Sequence, residues 1–193
     1  MIKLFPFIIK RFLLACLILL SFTTSVNAAN FVVFKNSNSG VSALAPNNWI
    51  MDKQVSKMFN INTLLRIISP DAKMHLEVTV NTDYLPVSTY AELSQGQIDG
   101  LTTEMINSHL AMFRGSKLTY FNKNARYYSL PSIIYIFKMN QDNEDFTYYI
   151  HSFIYNHYLY SIKFINRSPG NLSPEELVSI VNSVRFSWSY LLG

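Results

Sequence analysis

The chain has 193 residues, 49% of them hydrophobic and only 15% charged. That balance describes a folded domain with a core and excludes a disordered tail. The formal charge of +4 comes mostly from Lys3, Lys10 and Arg11; without them 13 basic side chains face 12 acidic ones, and no Lys/Arg cluster remains to follow a phosphate backbone. Nucleic acid is not an expected partner.

The first thirty residues have the layout of a secretory signal. Lys3, Lys10 and Arg11 form a positive start, Phe12 to Leu20 a short apolar run, and Val26 and Ala28 supply small residues for cleavage after Ala28. The apolar run is about half of the roughly 20 residues that span a bilayer. The expectation is a cleaved signal peptide over residues 1–28 and a single exported domain over 29–193, periplasmic or secreted. "LLAC", Leu13 to Cys16, has the outline of a lipoprotein site, but "LILLSF" follows it and a cut there would leave an apolar stub. Lipoprotein processing at Cys16 is therefore the weaker reading. Cut after Ala28, the chain keeps no cysteine, so it has no disulfide and its stability rests on packing.

Beyond the signal, "FVVFK" and "VSALAP" read as two strands joined by a polar turn at Asn36 to Gly40. "TLLRIIS" is a third strand. In "KMHLEVTVN" Met74, Leu76, Val78 and Val80 alternate with His75, Glu77, Thr79 and Asn81, the period of a strand with one buried face. From Thr89 the period changes to helical. Thr89 and Glu92 form a capping box, and Leu101, Met105, His109 and Met112 recur along one face, predicting a helix over 89–113 with an interruption at Gly96 or Gly100. "SKLTYFNK" and "ARYYSLPSIIYIFKM" are strand-like, the second long and adjusted at Pro131. "FTYYIHSFIYNHYLYSIKFI" folds as a hairpin about Asn156-His157, which sets Tyr155 against Tyr158, Phe153 against Tyr160, His151 against Ile162 and Tyr149 against Phe164, all on one face. "SPEELVSIVNSVRF" is an amphipathic helix with Ser173 as N-cap, Pro174 at its first position, and Leu177, Ile180, Val181 and Val184 on one side. Strands, helix, meander and helix in that order give an α+β domain on a mostly antiparallel sheet.

The residues that suggest chemistry are better explained by architecture. His151 lies within a strand and His157 at its turn, six residues along the chain and roughly 20 Å away, too far to share a metal. His75 and Glu77 occupy a strand's outer face without further ligands, and His109 belongs to a helix's packed stripe. The carboxylates of "NEDF" lack calcium-loop spacing. No nucleophile elbow, metalloprotease motif or phosphate loop is present, so neither a catalytic residue, a cofactor nor a metal site is expected.

Pro46 and Trp49, in a strand ending P-x-x-W, together with Ile180, Val181, Ser183 and Phe186 in a closing helix that runs into "SVRF", resemble the PsbP-like family. That family includes the extrinsic PsbP subunit of photosystem II and bacterial envelope proteins of the DcrB and LpqN kind. The resemblance runs over most of residues 31–187 and implies an antiparallel sheet flanked by helices, an α/β/α sandwich. Leu130-Pro131-Ser132 stands where family members carry a Gly-x-Pro/Ala element, and no family site residue transfers. It implies a non-enzymatic accessory or assembly protein that binds another envelope protein or a membrane-associated complex. Tyr155 and Tyr158 at the hairpin's end, and Trp188 and Tyr190 in the tail "RFSWSYLLG", are the candidate interaction residues; that tail is either a strap over the core or an exposed patch. The alternatives are a carrier holding a small apolar ligand between the sheet's aromatic face and the helix at 89–113, and an enzyme of unrecognised type.

Overall fold

A computed structural model describes residues 30–52, 57–58, 61–141, 143–167 and 174–187. The chain divides into two compact units, residues 1–30 and 31–193, and every element below belongs to the second. The signal segment with Cys16 and Ala28, the N-cap Ser173, and the tail residues Trp188 and Tyr190 lie outside the described residues.

Strands β1 (Phe31–Asn36) and β2 (Val41–Pro46) form the expected hairpin. Its turn closes through the Gly40 amide on the Asn36 carbonyl, with Gly40 at a φ of 66° that favours glycine. Short strands β3 (Ile50–Met51) and β4 (Lys57–Met58) precede β5 (Ile61–Ile68) and β6 (Met74–Asn81). A 3-10 turn at Tyr90–Glu92 leads to helix α1 (Gln95–Met112). A meander follows: β7 (Lys117–Tyr127), β8 (Leu130–Gln141), β9 (Glu144–Tyr155) and β10 (Tyr158–Arg167). Helix α2 (Pro174–Asn182) and the short β11 (Arg185–Phe186) complete the unit.

Two antiparallel sheets result. The smaller has the order β1-β2-β11; the larger runs β3-β5-β6-β10-β9-β8-β7, with β4 also on β5. The chain leaves β6, crosses by α1 to the far edge at β7, and returns by the meander until β10 pairs with β6. One face of the large sheet carries Leu65, Ile67, Leu76, Val78, Phe153, Tyr160, Ile162 and Phe164 and packs on β2, Trp49, the buried Ile180 and Val181 of α2, and Val184, which lies just past the helix end and not within it as the sequence pattern suggests. The opposite face carries Ile133, Tyr135, Phe137, Tyr148, Ile150 and Ile154 and packs on α1. The fold is α+β on an antiparallel sheet, as the order of elements predicts, with layers packed on both sides of it.

Three expectations are corrected. The long helix begins at Gln95, not near Thr89. Thr89 caps the 3-10 turn by accepting from Ala91, while Ser94 and Gln97 form a second capping box that starts α1. The break thus falls before the glycines: Gly96 and Gly100 sit exposed inside the helix with open space around them. Second, β7 continues through "NKNAR" by a bulge between Asn122 and Ala125, and the turn comes at Tyr128-Ser129. Tyr128 takes a φ of 52°, which ends the strand before Pro131. Third, α1 covers the face opposite the one that holds Tyr149, His151, Phe153 and Tyr155. No gap between that aromatic face and α1 exists for a ligand.

Two stability outcomes follow. Gly100→Ala should stabilise by about 0.5–1 kcal/mol, since the added methyl meets nothing and helix entropy improves. The Tyr90 hydroxyl is buried against β8 without a hydrogen-bond partner, so Tyr90→Phe should raise stability by about 1 kcal/mol. Urea denaturation checks both, and a loss of stability in either variant contradicts the packing described.

Candidate interaction surface

The β9–β10 hairpin has the register that alternation predicts: Tyr155 faces Tyr158, Phe153 faces Tyr160, His151 faces Ile162 and Tyr149 faces Phe164. Asn156 and His157 both take positive φ, 47° and 69°, as a two-residue turn of this twist requires. Asparagine and histidine tolerate that region better than most residues. The loop after β6 also holds the turn in place. His157 Nδ1 lies 3.0 Å from the Leu85 carbonyl, and the Leu85 amide donates back to the His157 carbonyl at 2.8 Å. Tyr84 stacks on the His157 ring at 4.5 Å and meets Tyr158 edge-on at 6.4 Å.

The neighbouring β7–β8 turn is at the same end of the sheet. Tyr128 carries the guanidinium of Arg185 over its ring at 5.1 Å. Arg185 Nη1 donates to the carbonyls of Asn182 and Val184, and Arg126 Nη1 to that of Ser129. Tyr127 Oη donates to the Val184 carbonyl at 2.9 Å and so joins β7 to the segment after α2. Between these groups lies a recess of about 410 Å³ lined by Tyr128, Ser129, Leu130, Tyr155, Arg185 and Phe186. Tyr84 is 66% and Tyr128 56% exposed, whereas Tyr155 and Tyr158 are half-buried and rest on the core. The structure therefore brings Tyr155 and Tyr158 to one end of the sheet and adds Tyr84, Tyr128 and Arg185. Sequence reasoning missed these three; an aromatic in the polar loop "NTDYLP" and a doubled Tyr127-Tyr128 before serine were the available signals.

His151 Nε2 lies 2.7 Å from Ser132 Oγ, and both side chains are buried. Burial pushes the His151 pKa down to about 4. His109 stacks on Phe137 at 3.8 Å, and burial lowers it to about 4 as well. His75 falls to about 4 through burial and then the nearby Arg66 charge, so the face it shares with Glu77 is half-covered and not simply wet. Glu77 accepts from Thr63 at 3.3 Å and pairs with Lys163 at 3.8 Å. Among the described residues no three His, Cys, Asp or Glu side chains gather as a metal site, and no helix is long and apolar enough to cross a membrane.

No family model matches the chain, and no curated protein matches it in sequence. Among solved structures it is similar to the solution structure of cyanobacterial PsbP (CyanoP) from Synechocystis sp. PCC 6803, at 12% identity and a TM-score of 0.46 over 84% of this chain and 95% of that one. It is also similar to a crystal structure from Bacteroides thetaiotaomicron VPI-5482, at 9% identity and a TM-score of 0.41, covering 80% of this chain and 47% of that one, about half its length.

The three depressed histidines make stability pH-dependent. An unfolded imidazole titrates near 6.5. Between that value and about 4 the unfolded chain binds protons that the folded chain does not, so stability is full above 6.5 and falls as pH drops through this window. Urea midpoints at pH 7.5, 6 and 4.5 should decline in that order, and His109→Leu should flatten the decline. A midpoint that stays level or rises on acidification rules this out.

Proposed function

We propose that this chain is a non-enzymatic, exported accessory protein that binds another envelope protein or membrane-associated complex through the aromatic end of its large sheet. The observation that carries the reading is that exposed Tyr84 and Tyr128 and half-buried Tyr155 and Tyr158 share one end of the sheet, where Tyr128, Tyr155 and Arg185 line a recess. Tyrosine and arginine dominate the energetic centres of protein interfaces. Tyr84 and Tyr128 are already held, one by the His157 stack and the other by the Arg185 guanidinium, so little side-chain freedom is lost on docking.

The chemistry of the recess describes its partner. No carboxylate is among its lining residues, while Arg185 lines it with Tyr128. A segment that inserts an apolar side chain and sets a carboxylate beside the Arg185 guanidinium fits this arrangement. Export is supported by the residue layout before Ala28. An enzymatic reading has less support, because the buried Ser132–His151 contact is closed to substrate.

Crosslinking and pull-down from the exporting cell test this, comparing wild type with Tyr84→Ala and Tyr128→Ala, both exposed enough to fold. Each should cut capture of a specific envelope protein by roughly tenfold or more. Equal capture by wild type and both variants sinks the surface assignment. Retention of the chain inside the cell with residues 1–28 intact sinks export.

A further inference from the structure

At the other end of the same sheet face, α2 stands off from the strands and leaves a slot of about 360 Å³. Its walls are Ile136, Tyr149 and Phe164 from the sheet and Leu177, Val178 and Val181 from the helix. Lys138, Thr147 and Asn166 border this slot and also a second recess of about 670 Å³, which adds Lys117, Thr119, Asn140 and Asp145. The two adjoin through those shared residues as one cleft, apolar beneath the helix and polar at its mouth. Both volumes fall in the range of roughly 300–1,000 Å³ usual for small-molecule sites.

The mouth has an unusual charge pattern. Lys117 and Lys138 stand directly opposite each other in the β7–β8 register. Like charges at such positions repel. Lys73, Lys123 and Lys163 each meet a carboxylate, on Glu144, Asp99 and Glu77, whereas among the described residues neither Lys117 nor Lys138 has an ion pair. Among the described residues one acid lines the mouth, Asp145, and it accepts from Asn140 Nδ2 at 2.8 Å. Among them, two ammonium groups face one carboxylate.

We infer that this cleft binds a carboxylate-headed acyl chain, with the hydrocarbon in the slot between α2 and the sheet and the carboxylate between Lys117 and Lys138. The apolar walls suit a chain of methylenes, and the anion removes the repulsion between the lysines. This site is separate from the aromatic end, and it does not depend on the partner proposed there. It also differs from the ligand position expected from sequence, which lay against the other helix.

Calorimetric titration of the purified protein with octanoate, decanoate and dodecanoate tests the inference, with dodecanol and dodecyltrimethylammonium as controls. Dodecanoate should saturate a single site, and each added methylene should tighten binding by roughly fourfold. Lys138→Gln and Lys117→Gln, both at exposed positions, should each weaken dodecanoate roughly tenfold and leave dodecanol unchanged. Val178→Glu, at a helix position 57% exposed, should weaken both. Trp49 stacks on Phe164 at 6.3 Å, so in a Trp188→Phe background its emission should change with dodecanoate. The inference fails if dodecanoate does not saturate, if dodecanol binds equally well, or if the lysine variants bind as wild type. Self-association abolished by Val178→Glu, without dodecanoate binding, would assign the groove to a second copy and overturn it.

Discussion

The stack of Tyr127, Phe153 and Tyr160 holds the large sheet to everything packed on one side of it. Tyr127 lies parallel to Phe153 at 4.5 Å, Phe153 lies parallel to Tyr160 at 5.4 Å, and Phe186 stands edge-on to all three at 5.6 to 5.9 Å. Each such pair contributes about 0.5–1.5 kcal/mol beyond the area it buries. The arrangement needs a small residue on the strand between β7 and β9. Ser132 supplies it, opposite Phe153 in register and almost wholly buried. A slip of one residue in the β9–β10 pairing would send Phe153 and His151 to the α1 side and Ser152 and Ile150 to this one. The ring stack, the two core layers and the serine–histidine contact therefore stand or fall on one register.

That register was legible because it is local. Twenty residues contain the alternation and the turn, and a two-residue turn leaves one pairing open. Helix α2 was legible for the same reason, from Pro174 and the spacing of Leu177, Ile180, Val181 and Val184. The start of α1 was not, because two capping-box patterns compete within nine residues, Thr89 with Glu92 and Ser94 with Gln97, and only the second closes as a box. Glu92 settles the matter by accepting from the Ser88 amide, which stabilises a separate turn. The faces covered by each helix were not legible either. Either helix could bury an apolar stripe, and only the crossover from β6 to β7 decides which layer receives it.

The candidate surface divides in the same way. Tyr155 and Tyr158 flank a turn that the sequence announces, so their place at the sheet's end could be read directly. Tyr84, Tyr128 and Arg185 reach that end from three separate parts of the chain. Tyr84 arrives because the Leu85 backbone and His157 clasp each other over 72 positions. Arg185 arrives because Tyr127 and Val184 hydrogen-bond over 57. No local pattern encodes such meetings.

The segment from Pro174 to Phe186 walls both recesses, which explains the density of contacts that fix it. Val181 and Leu177 line the apolar slot, and Arg185 and Phe186 line the aromatic end. Ser183 is the anchor between them. Its hydroxyl accepts from the Leu44 amide at 2.7 Å and donates to the Ile180 carbonyl at 2.6 Å, joining the end of α2 to β2. The Val184 carbonyl then receives both the Tyr127 hydroxyl and Arg185. A helix packed only by its apolar stripe could slide along the sheet, because hydrophobic contact has no preferred direction. Hydrogen bonds do have one. The directional contacts at Ser183 and Val184 set where the helix stands, so they also set the width of the slot on one side and the position of Arg185 on the other.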